Sequence, residues 1–191
     1  MNAHRRRSAL ALAFALALLA GCGYNTIQTM DEKVNAAESQ IKVQLQRRAD
    51  LVPNLVETVK GYAKQEQTIF IQVADARAKL AGAVQSGDLQ QMAGANAALT
   101  APLGRLIAIA ENYPQLKSNE NFRALQDQLE GTENRIAVAR QDYNESVNAY
   151  NAYIRRFPQV VTAKVLGKKP RPYFELQTPG AAETPKVDFS H

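Results

Sequence analysis

NFRALQDQLEGTENRIAVARQDYNESVNAYNAYIRRFP, residues 121–158, decides the fold. Phe122, Leu125, Leu129, Thr132, Ile136, Ala139, Tyr143, Val147, Tyr150, Ile154 and Phe157 recur at spacings of three and four without a gap. That spacing puts them on one stripe of an α-helix and is incompatible with the two-residue period of a strand. At 1.5 Å per residue, roughly 40 helical residues reach about 60 Å. Pro158 stops the helix, and Ser118 reads as its N-cap. A helix with one long apolar stripe must bury it against other elements.

Upstream of this helix the chain supplies three more amphipathic segments. Thr29-Met30-Asp31-Glu32 has capping-box spacing and opens a helix to about Arg48, with Val34, Ala37, Ile41 and Leu45 as its stripe. Pro53 then lacks a backbone donor and pushes Val52 away from the α region. Either a tight turn or a kink satisfies that. The second segment runs from Asn54 to about Ala83, with Leu55, Val59, Tyr62, Ile69, Val73, Ala76 and Leu80 in register and Glu66 standing at an apolar position. Ser86-Gly87-Asp88 is a loop and cap. The third helix carries Met92, Leu99, Leu103, Leu106, Ala110 and Tyr113, with Pro102 predicting either a kink near Ala98 or a helix whose well-formed part starts only at Pro102. The fold class is all-α, and four segments joined by short turns predict an up-and-down antiparallel four-helix bundle with long helices over 29–158.

The N-terminus reads as a targeting signal. Arg5, Arg6 and Arg7 precede an apolar run from Ala9 to Ala20. The run is too short to cross a membrane comfortably and suits a signal peptide. Leu19-Ala20-Gly21-Cys22 looks like a bacterial lipobox, in which the thiol is acylated and the chain is cut just before it. This gives a signal peptide at 1–21, a lipid-anchored tether at 22–28 and a lipidation site at Cys22. Two or three acyl chains, at about 0.8 kcal/mol per buried CH₂, hold firmly where one does not. Gly23 stands where an Asp resembles an inner-membrane retention signal, so the expected location is the periplasmic face of the outer membrane.

Removing Arg5, Arg6 and Arg7 lowers Lys+Arg from 23 to 20 against 18 Asp+Glu. The processed chain is therefore nearly neutral, and its charge gives no reason to expect nucleic acid. With Cys22 acylated no disulfide can form. Removal of His4 leaves only His191. Ser-His-Asp and Cys-His catalysis, Glu-x-x-His metal bundles and Cys/His zinc sites therefore lack their residues. There is no P-loop and no Gly-x-Gly-x-x-Gly. No cofactor, no metal and no enzymatic activity are expected, although Glu57, Glu111, Glu120 and Glu133 are the carboxylates from which a catalytic pair would have to come.

Three sets of polar residues interrupt the pattern. Arg48, Glu66, Arg77 and Arg140 lie on or beside apolar stripes. Asn144, Asn148 and Asn151 form a row beside Tyr143 and Tyr150. Both sets fit either a binding groove or buried pairs that fix helix register. Between Arg155 and Arg171 there are six basic residues and no acid. Lys164, Lys168, Lys169 and Arg171, among Val160, Val161, Val165 and Leu166, would then either rest on anionic lipid or stay solvated while the apolar residues cover the bundle end. This basic, partly apolar segment is placed at 159–174 and a flexible, Pro- and Gly-rich tail at 175–191.

The stretches Arg47 to Ala63, Glu111 to Phe122 and Thr132 to Pro158 resemble the LemA family of bacterial envelope proteins. The resemblance extends from about Tyr24 to Phe174, and Pro185-Lys186-Val187-Asp188-Phe189 fits it too. It implies a four-helix bundle on one N-terminal membrane anchor, favours a turn at Pro53, and implies no reaction. Two features depart from the family pattern: a lipobox in place of a transmembrane helix, and Pro102 and Gly104 in the third helix. The expected function is a non-enzymatic scaffold acting by contacts with an envelope protein at the membrane. The alternative is a binding protein for a glycan or lipid.

Overall fold

The computed structural model of the chain describes residues 23–175. Cys22, the signal sequence and the tail beyond Glu175 lie outside the described residues. Most of those described are helical, and none of them is in a strand. The helices are α1 Tyr24–Lys60, α2 Gln67–Ser86, α3 Leu89–Ile109, α4 Pro114–Lys117, α5 Glu120–Arg155 and α6 Gln159–Val165, with a 3-10 turn at Ala110–Asn112. Six α-helices thus stand where four were expected, and α1, α2, α3 and α5 are the long ones.

Several boundaries differ from the sequence reading. Residues 24–28, expected as a tether, form the first turns of α1, and Ile27 among them is fully buried. Thr29 is therefore not an N-cap: its hydroxyl donates to the Asn25 carbonyl inside the helix. The turn favoured at Pro53 is absent, because α1 runs through it to Lys60. The chain breaks instead over 61–66. Glu66, conspicuous at an apolar position, is the residue that leads into α2. Asp88 caps α3 as expected, accepting from the amides of Gln90 and Gln91. Asn119, rather than Ser118, caps α5 by accepting from the Phe122 amide.

Two compact units are formed, both bounded within helices α1 and α5. The first comprises 23–41 and Ala137–Tyr173. Its interior is Ile27, Val34 and Ile41 from α1 with Tyr143, Val147, Tyr150 and Ile154 from α5, all buried. The seven-residue spacing on α1 and the 4-3-4 spacing on α5 are those of long helices that present a narrow seam. Burying each such side chain is worth about 1.5–3 kcal/mol.

The second unit is built from Lys42–Ile136. Leu45, Leu55 and Val59 of α1, Val73 and Leu80 of α2, Met92, Leu99 and Leu106 of α3, and Phe122 and Leu129 of α5 are buried. Helices α2 and α3 pack on each other across a tight connection in which Gly87 takes φ +71°, a left-handed cap that favours glycine. The stretch Leu89–Asn112 is apolar and long enough to pass for a membrane span by composition, but its leucine stripe is turned into this core.

The two prolines are accommodated differently. A helical proline deprives the carbonyl four residues earlier of its donor. For Pro53 that carbonyl belongs to Ala49, which is fully buried. Arg77 of α2 reaches it, its Nε donating to the Ala49 oxygen at 3.1 Å. For Pro102 the carbonyl belongs to Ala98, an exposed residue that water can serve.

Candidate functional site

In the first unit the chain after α6 turns at Gly167, φ +66°, and continues without helix through Tyr173. Pro170 and Pro172 have no amide to donate, and the extended backbone makes no ladder, so its polar groups need side-chain partners. Helices α1 and α5 supply them. Asn151 accepts from the Arg171 amide at 2.8 Å and donates to the Arg171 carbonyl at 2.9 Å, standing in for a neighbouring strand. The buried Tyr143 hydroxyl donates to the Pro172 carbonyl at 2.9 Å, and Tyr173 donates to Asn148 at 3.3 Å. From α1, Asp31 accepts from Lys168 at 2.6 Å and from Arg171 at 2.8 Å, while Asn35 accepts from Arg171 at 2.9 Å. Asp31 and Asn35 are one helical turn apart, so one guanidinium spans both.

The electrostatics follow from this geometry. Burial works to raise the Asp31 pKa, but the hydrogen bonds and charges of Lys168 and Arg171 outweigh it and hold the carboxyl below its ordinary value. Burial, with Glu38 nearby, pushes the Tyr143 phenol up to about 12. Burial and Asp31 also raise Tyr150. These tyrosines stay neutral, and the strap is a latch across two helices.

A second polar cluster lies inside the other unit. Arg48, 4% exposed, pairs with Glu133 of α5 at 2.6 Å and donates to Asn96 and Thr100 of α3. One guanidinium thereby ties three helices together. Burial lowers the Arg48 pKa and the Glu133 charge opposes that.

The residues singled out from sequence are distributed as follows. Cys22 lies outside the described residues. Lys164 and Lys169 are exposed, whereas Lys168 and Arg171 are bound to Asp31. Asn151 is part of the latch; Asn144 and Asn148 line an open depression of about 500 Å³ together with Arg140 and Glu145. Arg77 serves Ala49, and Glu66 marks a helix start. Glu57 pairs with Lys60, Glu111 with Lys117 and Glu133 with Arg48; Glu120 opens α5. Three of these four carboxylates are thus engaged singly, with cations.

Sequence reasoning missed Asp31, Asn35, Asn96 and Thr100. A signal existed for two of them: Asn96 and Thr100 are a polar i, i+4 pair in an otherwise Ala- and Leu-rich helix.

Residues 37–189 match the LemA family. The chain belongs to the LemA family. Both the Arg48 cluster and the strap fall within the matched span, while Asp31 and Asn35 precede it. Among curated relatives, the magnetosome proteins MamQ 1 and MamQ 2 of Paramagnetospirillum magneticum are each 32% identical, and MamQ of Magnetospirillum gryphiswaldense is 31% identical. Each alignment takes in 86% of this chain and 68% of the relative.

Proposed function

We propose that this LemA-family chain is a lipid-anchored, non-enzymatic scaffold of the bacterial envelope, held by Cys22 at the periplasmic face of the outer membrane and acting through contacts with another envelope protein. The observation that carries the reading is the sole cysteine, Cys22, directly after Leu19-Ala20-Gly21 and an apolar run. Arg48 with Glu133 and Asn96, and Asp31 with Lys168 and Arg171, fix helix positions. The relatives' names assign them to a cell structure rather than to a reaction, which agrees with a scaffold. Its mechanism is tethering: confinement to a membrane raises the effective concentration of a recognition surface for partners there.

The depression of about 500 Å³ beside Asn144 and Asn148 favours, as a second reading, a small glycan held by amide groups. Labelling with radioactive palmitate and in-cell crosslinking test both readings. The wild-type chain takes up label and captures a protein; Cys22→Ala does neither. An unlabelled wild type overturns the anchor. A labelled chain that captures no protein overturns the scaffold and directs attention to Asn144 and Asn148.

A further inference from the structure

The end of α5 and the short α6 carry the most exposed apolar group among the described residues. Phe157, Val161 and Val165 are 79%, 52% and 82% exposed. Val161 and Val165, four residues apart, share one face of α6, Phe157 stands in the turn that leads into that helix, and Ala163 turns inward at 3% exposure. This arrangement is not what the sequence stripe predicts for Phe157. The helix stops at Arg155, so the periodic position no longer points to the core. A contiguous exposed apolar face rimmed by polar residues marks an interaction surface.

The rim is of one sign. Arg155, Arg156, Lys164 and Lys169 are all exposed, and no acid occurs from Arg155 to Phe174. Of the carboxylates near this segment, Asp31 is committed to Lys168 and Arg171 and Glu38 acts on Arg171. Exposed aromatic and aliphatic side chains among cations are the composition of a surface that settles at the boundary of headgroups and acyl chains of anionic lipid.

The chain's entry point lies at the same corner. A side chain carbon at Gly23 would stand 3.2 Å from Gln159 of α6 and 3.7 Å from the Tyr153 hydroxyl. Cys22 directly precedes Gly23 in the sequence.

We infer that Phe157, Val161 and Val165 seat on the surface of an anionic bilayer, with Arg155, Arg156, Lys164 and Lys169 contacting lipid phosphates. This deepens the proposed anchoring at Cys22 and rests on it only for the side of the molecule that faces lipid. The patch makes the lipid tether a two-signal attachment, acyl chains plus a cationic apolar face, and it orients the first unit on the membrane.

The test uses the full, processed chain in vesicles with an environment-sensitive fluorophore on Val161→Cys. Val138→Cys, which replaces another exposed side chain (59% exposed) of α5, is the control. Vesicles of phosphatidylethanolamine with phosphatidylglycerol are compared with phosphatidylcholine alone. The Val161 label is expected to brighten severalfold and shift to the blue on anionic vesicles, while the Val138 label stays aqueous. Adding Lys164→Glu and Lys169→Glu should lower the lipid-seated population at least 30-fold, from about 1 kcal/mol for each cation removed. An aqueous Val161 label on chains that float with the vesicles overturns the patch and leaves the anchor standing. Disulfide-linked dimers of unlabelled Val161→Cys on those vesicles overturn it in favour of a second copy. Chains that float only with anionic vesicles and carry no acyl mass on Cys22 overturn the anchor while supporting the patch.

Discussion

The contact between Arg77 and the Ala49 carbonyl predicts a measurable coupling between Arg77 and Pro53, 24 positions apart in the sequence. Pro53 leaves that carbonyl without its helical donor, and Ala49 is fully buried, so water cannot serve it. Arg77 supplies the donor at 3.1 Å. Arg77→Met keeps the aliphatic stem and removes the donor. A buried acceptor left unsatisfied costs about 1–3 kcal/mol, so the variant should lose about 2 kcal/mol. For a chain of this size that is roughly 4–8 °C in Tm. Pro53→Ala restores an amide facing the Ala49 oxygen and removes a helix-interior proline worth about 3 kcal/mol. The gain is reduced by the freedom Ala returns to the unfolded chain, about 0.4–1 kcal/mol. In the Pro53→Ala background the carbonyl has its own donor, so Arg77→Met should cost about 1 kcal/mol less than in the wild type. Urea unfolding of the four proteins, followed by helix circular dichroism, reads this cycle. Additive effects, with a coupling below about 0.3 kcal/mol, would refute the idea that Arg77 replaces the missing amide.

The latch makes two further predictions. Asp31 has a depressed pKa, so its contribution to stability is present above the ordinary carboxylate value near 3.9 and is lost as pH falls through the folded value. Asp31→Asn should therefore cost about 2 kcal/mol at pH 7 and leave thermal melts that converge with the wild type as pH falls below the ordinary carboxylate range. Tyr143, pushed up to about 12, contributes in the opposite direction: its stabilisation is intact below pH 10 and is lost as pH rises from 10 towards 12. Tyr143→Phe should cost about 1 kcal/mol at pH 7 through its bond to Pro172 and should remove the latest-titrating phenol seen at 295 nm.

What could be read from the sequence follows the reach of each signal. The α5 stripe was legible because about ten turns of its 36 residues repeat one spacing, and a core that forms locally along a helix leaves its period in the chain. The same rule overran by one step at Phe157, since a stripe does not state where the helix stops. Pro53 looked like an interruption because the proline is local and its remedy is not. Arg77 is on another helix, and nothing near Pro53 announces it. The real break at 61–66 did leave a trace, in Glu66 at a position the period assigned to the core. An acid that spoils a stripe is better read as the stripe ending than as a buried charge. The basic segment was harder. Extended backbone has no period, and the acid that holds Lys168 and Arg171 lies 137 and 140 residues earlier. Six cations without a local acid thus looked alike, although Asp31 divides them. Lys168 and Arg171 are spent on the latch, and the other four remain exposed around Phe157, Val161 and Val165. That division separates the residues that close the fold from those that face outward, and it is set by one aspartate on α1.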